Sequence, residues 1–392
     1  MHHYDIAVIG AGPAGSMAAK YAAKAGAAVV ILEEHPSVGW PVECAGLLGE
    51  KALQESELTR SFGHYVLRGL KGACVYSPGG FRMDFKASSN RAFVVDRRLF
   101  DRELALDAMR VGADLWLHSP VRKLRRENGG RILTLGDGSE VRSKIVISAE
   151  GVRARIARRA GIAAAQKILS GAQVEVPFAV EDPEKVEVHL GAAPGLFAWV
   201  IPTGERTARI GLCATERGCD CLRSFLQKDL IKRRLQGSPV GLFVGGLPLG
   251  PPAVTAKEGF LAVGDAAGQV KPTSGGGIYP GLVCAKIAGG VAAAAVQEGD
   301  CSAKRLGEYD RLWRAAVGRE LTIGMKVNRW LNRMSPAEID EVVSFLSRKP
   351  ALAKTIEEHG DIDRPSVLMA RMLPQVGLDG LWLAKLLRHA LG

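Results

Sequence analysis

The run Gly10-Ala-Gly12-Pro-Ala14-Gly15 stands directly behind a short apolar stretch, Tyr4–Ile9, and directly ahead of an Ala-rich stretch, Ser16–Gly26. That context leaves few folds open. The apolar stretch reads as a buried parallel strand, and the Ala-rich stretch, closed by a glycine, reads as a helix. Ala28–Leu32 is a second β-rich run and ends in Glu33-Glu34. Strand, Gly-x-Gly-x-x-Gly turn, helix, strand and terminal acid together form the dinucleotide-binding unit of a doubly wound α/β sheet. Gly10 allows the tight turn, Gly12 lets the backbone approach a pyrophosphate, and Gly15 lets the helix lie close to the strand. The helix N-terminus offers unpaired N–H groups to the phosphates. Glu33, or Glu34 if the strand runs one residue longer, accepts hydrogen bonds from the adenosine ribose.

A second segment decides which dinucleotide. Residues 263–282 read VGDAAGQVKPTSGGGIYPGL. They follow the apolar run Phe260–Val263, so Gly264-Asp265 falls at a strand end, where the carboxylate can accept hydrogen bonds from ribityl hydroxyls. Gly275-Gly276-Gly277 then opens a helix expected to run through Ala294. The N–H groups at that N-terminus can stabilise negative charge on a reduced flavin, and side chains in place of the three glycines would block its ring. A nicotinamide cofactor needs nothing at position 265. FAD does, because its ribityl–flavin half reaches beyond the first unit.

Between these segments, Leu99, Leu104, Ala108 and Met109 recur at helical spacing, predicting a helix over Arg98–Val111 with Arg97 at its start. A guanidinium there can bind phosphate or flavin oxygens. Residues 113–149 alternate apolar and polar positions around the turn Gly136-Asp137-Gly138, as a hairpin with a returning strand does. Gln173–Val180, Lys185–Leu190 and Ala208–Leu212 alternate likewise. The expected architecture is α/β: a discontinuous Rossmann-like FAD domain from 1–60, 92–165 and 255–300, an inserted mixed β-sheet substrate domain from 61–91 and 166–254, and a helical C-terminal region, 301–392. Phe197, Trp199 and Ile201 alternate and so share one face of a strand, a surface suited to an apolar substrate.

Lys plus Arg number 52 against 41 Asp plus Glu, a net charge of +11 that favours an anionic partner such as a lipid surface or a phosphorylated substrate. No nucleic-acid motif accompanies it. Seven scattered cysteines argue against a secreted disulfide framework. Cys219-Asp-Cys221 lacks a second ligand pair, so no metal site is expected. No stretch reaches the ~20 apolar residues of a spanning helix. The nearest candidate, Val283–Val296, contains Lys286 and two glycines. The expected location is cytoplasmic, with contact to the inner membrane face from the side.

GAGPAG at 10–15, AEGVRARIAR at 149–158 and GDAAGQVKPTSGGGI at 264–278 resemble, in that order, the flavoprotein superfamily of aromatic hydroxylases, halogenases and electron-transfer dehydrogenases. Most members carry Asp-Gly at the second motif, where this chain has Glu150-Gly151. Within the superfamily, PVECAGLLG at 41–49, VDRRLFDRELALDA at 95–108 and PGLFAWVIP at 194–202 are most similar to the geranylgeranyl reductases. Those enzymes carry a Cys-containing loop near the flavin and a Pro-x-x-Tyr-x-Trp-x-Phe-Pro pattern. Pro194, Trp199 and Pro202 match it, while Phe197 replaces Tyr and Ile201 replaces Phe. The resemblance covers about residues 1–300. It implies FAD contacts at Ala14, Gly15, Glu33, Cys44, Ala45, Gly46, Arg97, Val121, Asp265, Gly277 and Ile278. It also implies saturation of isolated C=C bonds in geranylgeranyl chains on a prenylated lipid or prenyl diphosphate, most readily an archaeal-type diether phospholipid. The external electron donor (ferredoxin, a deazaflavin or NADPH) stays open. Cys44 either packs beneath the flavin or donates a proton. The alternatives are a flavin monooxygenase or halogenase, or an electron-transfer dehydrogenase. A halogenase needs a Lys on a tunnel, and the sequence alone places none.

In the C-terminal region, eight basic and three acidic residues lie between Lys304 and Arg333, with Trp313 and Trp330 among them. That mixture suits an interfacial helix pair touching a membrane or a helical cap with a snorkelling basic face. Leu381–Leu391 is a further short amphipathic run.

Overall fold

The strand His2–Ile9 has parallel neighbours on both sides, Val29–Leu32 and Glu140–Ser148. Ala113–Trp116 lies beyond the first and Phe260–Ala262 beyond the second, both parallel. The chain first builds the sheet to one side of His2–Ile9 and later returns on the other. The crevice at the carboxyl ends of His2–Ile9 and Glu140–Ser148 is therefore a topological switch point, where open α/β sheets bind ligands. This is a computed structural model, and it describes residues 1–58, 62–127, 129–376 and 380. The amphipathic run Leu381–Leu391 lies outside the described residues.

Three helices cover one face of this sheet. Pro13–Lys24 follows the glycine turn, and its start one turn ahead of the expected Ser16 reflects the fixed φ of Pro13 at the first helical position. Arg97–Arg110 is capped by Asp96, whose carboxylate accepts from the Arg98 and Leu99 N–H groups. That cap places Arg97 inside the first turn. The third helix, Ile278–Glu298, extends four residues past the expected end, to a left-handed Gly299. It corrects one expectation: by length and hydropathy this helix is apolar enough to cross a membrane. It is mostly buried, however, packing with Met17, Ala18, Phe100 and Leu104 in the main core. A helix apolar on all sides is what a protein interior requires.

A second, mixed sheet has seven strands in the order Gly241–Leu249, Lys167–Pro177, Thr207–Ala214, Gly195–Pro202, Lys185–Leu190, Gly72–Tyr76, Arg82–Lys86. Only Lys185–Leu190 and Gly72–Tyr76 pair in parallel. The helix Gly218–Leu226 buries Leu222 and Phe225 against one face. The other face, carrying Phe197, Trp199 and Ile201, looks toward the first sheet. Leu47–Gly49, Ala92–Val95 and Val66–Leu70 form a small third sheet between the two.

The C-terminal region is helical where described: Ala303–Trp313, Arg319–Leu331, Pro336–Ser347, Pro350–His359 and Pro365–Met372. One of the two tryptophans in the basic run Lys304–Arg333 is not at the surface. Trp313 is fully buried, with its Nε1 donating to Thr255 Oγ1 at 3.0 Å. Arg305 and Arg311 pair with Glu298 and Glu308. The Trp313 indole is part of the core, and these two basic side chains are paired with acids on their own helix and at the end of the preceding one.

Candidate active site

A cleft of about 380 Å³ follows the switch point. Gly10, Gly12, Ala14, Glu33, Cys44, Arg97, Val121, Gly264, Asp265, Gly277 and Ile278 line it. Gly10 needs its glycine twice over: φ is +98°, and a Cβ would stand 2.6 Å from the Ala149 carbonyl oxygen. Gly12 differs. Nothing lies within 4 Å of where its Cβ would be, so a ligand can come against its backbone. Neither Pro13–Lys24 nor Ile278–Glu298 has a side-chain cap at its N-terminus. Two sets of unpaired N–H groups therefore border the cleft, both suited to negative charge.

Glu33 ends the second strand and is buried. Its Oε2 accepts from the Ala11 N–H at 2.7 Å and its Oε1 from the His35 N–H at 3.0 Å. Glu34 is more exposed and faces Arg153 at 3.7 Å, so Glu33 is the acid on the inner wall. Asp265 lies on the cleft floor, partly open to it. Burial raises its carboxyl to about 6, with Arg97 opposing and Glu43 adding to the rise. Arg97 makes a bidentate pair with Asp101, with both N···O distances 2.9 Å. Burial works against its charge, but Asp101 and the Cys44 sulfur hold the guanidinium protonated.

A second cavity of about 210 Å³ opens beside the first. Phe197, Trp199 and Ile201 line it, with Leu47, Val186, Val188 and Leu196. The two cavities share Glu43, Cys44, Gly246, Leu247, Gly275, Gly277 and Ile278, so an apolar pocket meets the nucleotide cleft at Cys44 and the triple-glycine turn. Polar contacts fix that junction. Trp199 Nε1 donates to Gln173 Oε1 at 2.9 Å, and Gln173 Nε2 donates to the Cys44 carbonyl at 3.4 Å. Arg209 Nη1 donates to the Ala45 carbonyl at 3.0 Å.

Four expected contact residues lie off the cleft. Gly15 packs against the Gly10 carbonyl behind it. Ala45 and Gly276 line the apolar cavity instead. Gly46, at φ +72°, turns under Arg209 and lines neither. Two of the three glycines also serve the protein's own packing: a Cβ at Gly277 would stand 2.8 Å from Asp265 Oδ1, and one at Gly276 2.8 Å from Lys271 Cε. Glu150 lines the cleft as well, with its carboxylate engaged by the protein's own donors. It accepts from the Ile156 and Ala157 N–H groups at 2.9 Å and from Ser148 Oγ at 2.6 Å, anchoring the helix Arg155–Arg159.

Sequence reasoning missed Asp101, whose four-residue spacing from Arg97 was a visible signal. It also missed Lys271, Ser274, Ile362 and Asp363 on the apolar cavity. Lys271 does put a lysine on this wall, although as the partner of Asp363.

These features define an FAD-dependent oxidoreductase of Rossmann type with a joined apolar pocket. Residues 5–235 match the family model described as lycopene cyclase protein. The chain is 35% identical over 357 residues to digeranylgeranylglycerophospholipid reductase of Methanocaldococcus jannaschii, covering 88% of this chain and 90% of the relative. To the same-named protein of Methanosarcina acetivorans it is 34% identical over 366 residues, covering 88% of each. A solved geranylgeranyl bacteriochlorophyll reductase-like protein of Thermoplasma acidophilum superposes with a TM-score of 0.83 at 28% identity, covering 95% of this chain and 99% of that one. A halogenase mutant solved in complex with FAD shares the fold, with a TM-score of 0.70 at 13% identity, covering 99% of this chain and 96% of that one. The chain belongs to the digeranylgeranylglycerophospholipid reductase family.

Proposed function

We propose that this protein saturates isolated C=C bonds in the geranylgeranyl chains of an archaeal-type diether phospholipid. The observation that carries the proposal is the meeting of the apolar Phe197–Trp199–Ile201 cavity with the nucleotide cleft at Cys44 and Gly275–Ile278. Reduced FAD supplies a hydride there when bound. The protein's own groups do the rest. Gly10–Ala14 and the helix N-terminus at Pro13 hold the pyrophosphate, Glu33 the ribose, and Asp265 the ribityl chain. The N-terminus at Ile278 would favour negative charge on a reduced flavin bound there. Phe197, Trp199 and Ile201 exclude water and lay the alkene flat, so orientation supplies much of the acceleration. Cys44, at the junction, positions the double bond.

Two finer points belong to the same reading. Arg122, Arg153 and Arg155 on the cleft wall, with the net charge of +11, suit an acidic external electron carrier and an anionic lipid surface. The protein works from the cytoplasmic side of that surface.

The test is anaerobic: reduce the flavoprotein, add the unsaturated diether lipid, and follow flavin absorbance and lipid mass. Reoxidation with the gain of two hydrogens per double bond is expected. Absence of both, or product formation only when oxygen is admitted, overturns the reading in favour of a monooxygenase or halogenase.

A further inference from the structure

Saturating an alkene needs a proton as well as a hydride, and the apolar cavity has one end that is not apolar. There Lys271 Nζ stands 2.5 Å from Asp363 Oδ1 and 3.1 Å from the Ile362 carbonyl oxygen. Both charged side chains are almost wholly buried, at 7% and 1% exposure. The ammonium has three N–H donors, and these two acceptors use two of them. Asp363 Oδ2 and Ser274 Oγ are buried beside it without a hydrogen-bond partner. Lys271, Ser274 and Asp363 all line the cavity that holds Phe197 and Trp199. Gly276, from the turn bordering the flavin cleft, comes so close to Lys271 that a Cβ would touch its Cε.

An ion pair buried in an apolar wall is a weak stabiliser, because desolvation offsets the attraction. Unpaired polar atoms beside it add a further cost. Such an arrangement persists where it serves chemistry. Cys44, the other candidate on this wall, receives the Gly46 N–H at 3.4 Å and faces the Arg97 guanidinium.

We propose that Lys271, held in place by Asp363, is the general acid of the reaction. This rests on the reductase reading above. The Nζ–H bond breaks and its proton forms a C–H bond with one alkene carbon. The π electrons make that bond, and the other carbon takes a hydride with its electron pair from a reduced flavin. Lys271 is left neutral and regains its proton from solvent by way of Asp363 and Ser274.

Three variants test it: K271M, K271R and the uncharged pair K271M/D363L. Lys271 lies off the nucleotide cleft, so all three should bind FAD with wild-type affinity. K271M alone leaves Asp363 buried and unpaired, and its apoprotein should melt lower; K271R and the double variant should recover stability. Arginine keeps the ion pair but does not release its proton. In single-turnover assays of the reduced enzyme with unsaturated lipid, K271R and K271M/D363L should therefore both be slowed on the order of 10²–10⁴-fold, the usual contribution of a general acid. A folded K271R that saturates lipid within about threefold of wild type overturns the proposal. Wild-type enzyme that saturates nothing under the same conditions overturns the reductase reading instead.

Discussion

Replacing Asp265 with Asn should move stability and cofactor affinity in opposite directions. The carboxyl rises from 3.8 to about 6 because burial disfavours its charge. In the FAD-free protein it is neutral in both folded and unfolded chains below about pH 4. Between pH 4 and 6 the unfolded chain ionises first, so folding becomes less favourable as pH rises through this window. Above pH 6 the full cost is present. About two units at ~1.4 kcal/mol each gives roughly 3 kcal/mol. Asp265→Asn removes that cost, so the apoprotein should melt several degrees higher at pH 8 and scarcely differently at pH 4. Bound FAD reverses the sign, because ribityl hydroxyls hydrogen-bond more strongly to a carboxylate than to an amide, by about 1–2 kcal/mol. FAD should bind the variant about tenfold more weakly at pH 8, and the wild-type affinity should decline toward pH 5 while that of Asp265→Asn stays flat. Thermal melts of apoprotein across this range and flavin fluorescence titrations measure both effects. A variant no more stable than wild type at pH 8, or one whose gain is equal at pH 4 and pH 8, would refute the buried-charge argument.

Three further substitutions separate the parts of the site. Gly12→Ala fills open space and should leave apoprotein melting unchanged while weakening FAD binding at least about tenfold, whereas Gly15→Ala presses on the Gly10 carbonyl and should lower the melting temperature itself. Phe197→Ala removes apolar surface from the cavity alone, and should raise the KM for lipid by about 10–100-fold, from ~1.5–3 kcal/mol of lost burial, with FAD affinity intact. Glu150→Ala deprives the Ile156 and Ala157 N–H groups of their acceptor and should cost about 1–2 kcal/mol in chemical denaturation without altering the flavin spectrum.

The nucleotide half of the site was legible because its constraints are local. Gly10, Gly12, Glu33 and Gly264-Asp265 are demanded by strand ends and helix starts that a reader can locate in the chain. The alternation at Phe197, Trp199 and Ile201 likewise put three side chains on one face, and all three line the apolar cavity. Long-range pairing was not legible. Ile362 and Asp363 reach the cavity from the loop between the helices Pro350–His359 and Pro365–Met372, and no pattern near either residue announces Lys271 as partner. Trp313 misled for a related reason: basic residues around a tryptophan look the same whether the indole meets lipid or, as here, Thr255 and Asp310 in the core. The three glycines before Ile278 were read as room for a flavin, and two of them are also required by Asp265 and Lys271.

The most direct measurement is the stoichiometry of a single anaerobic turnover, counting flavin reoxidised against double bonds lost. The joined cavities require one flavin oxidised for each bond saturated, with oxygen excluded. A flavin that stays reduced in the presence of the unsaturated lipid would contradict the account at its centre.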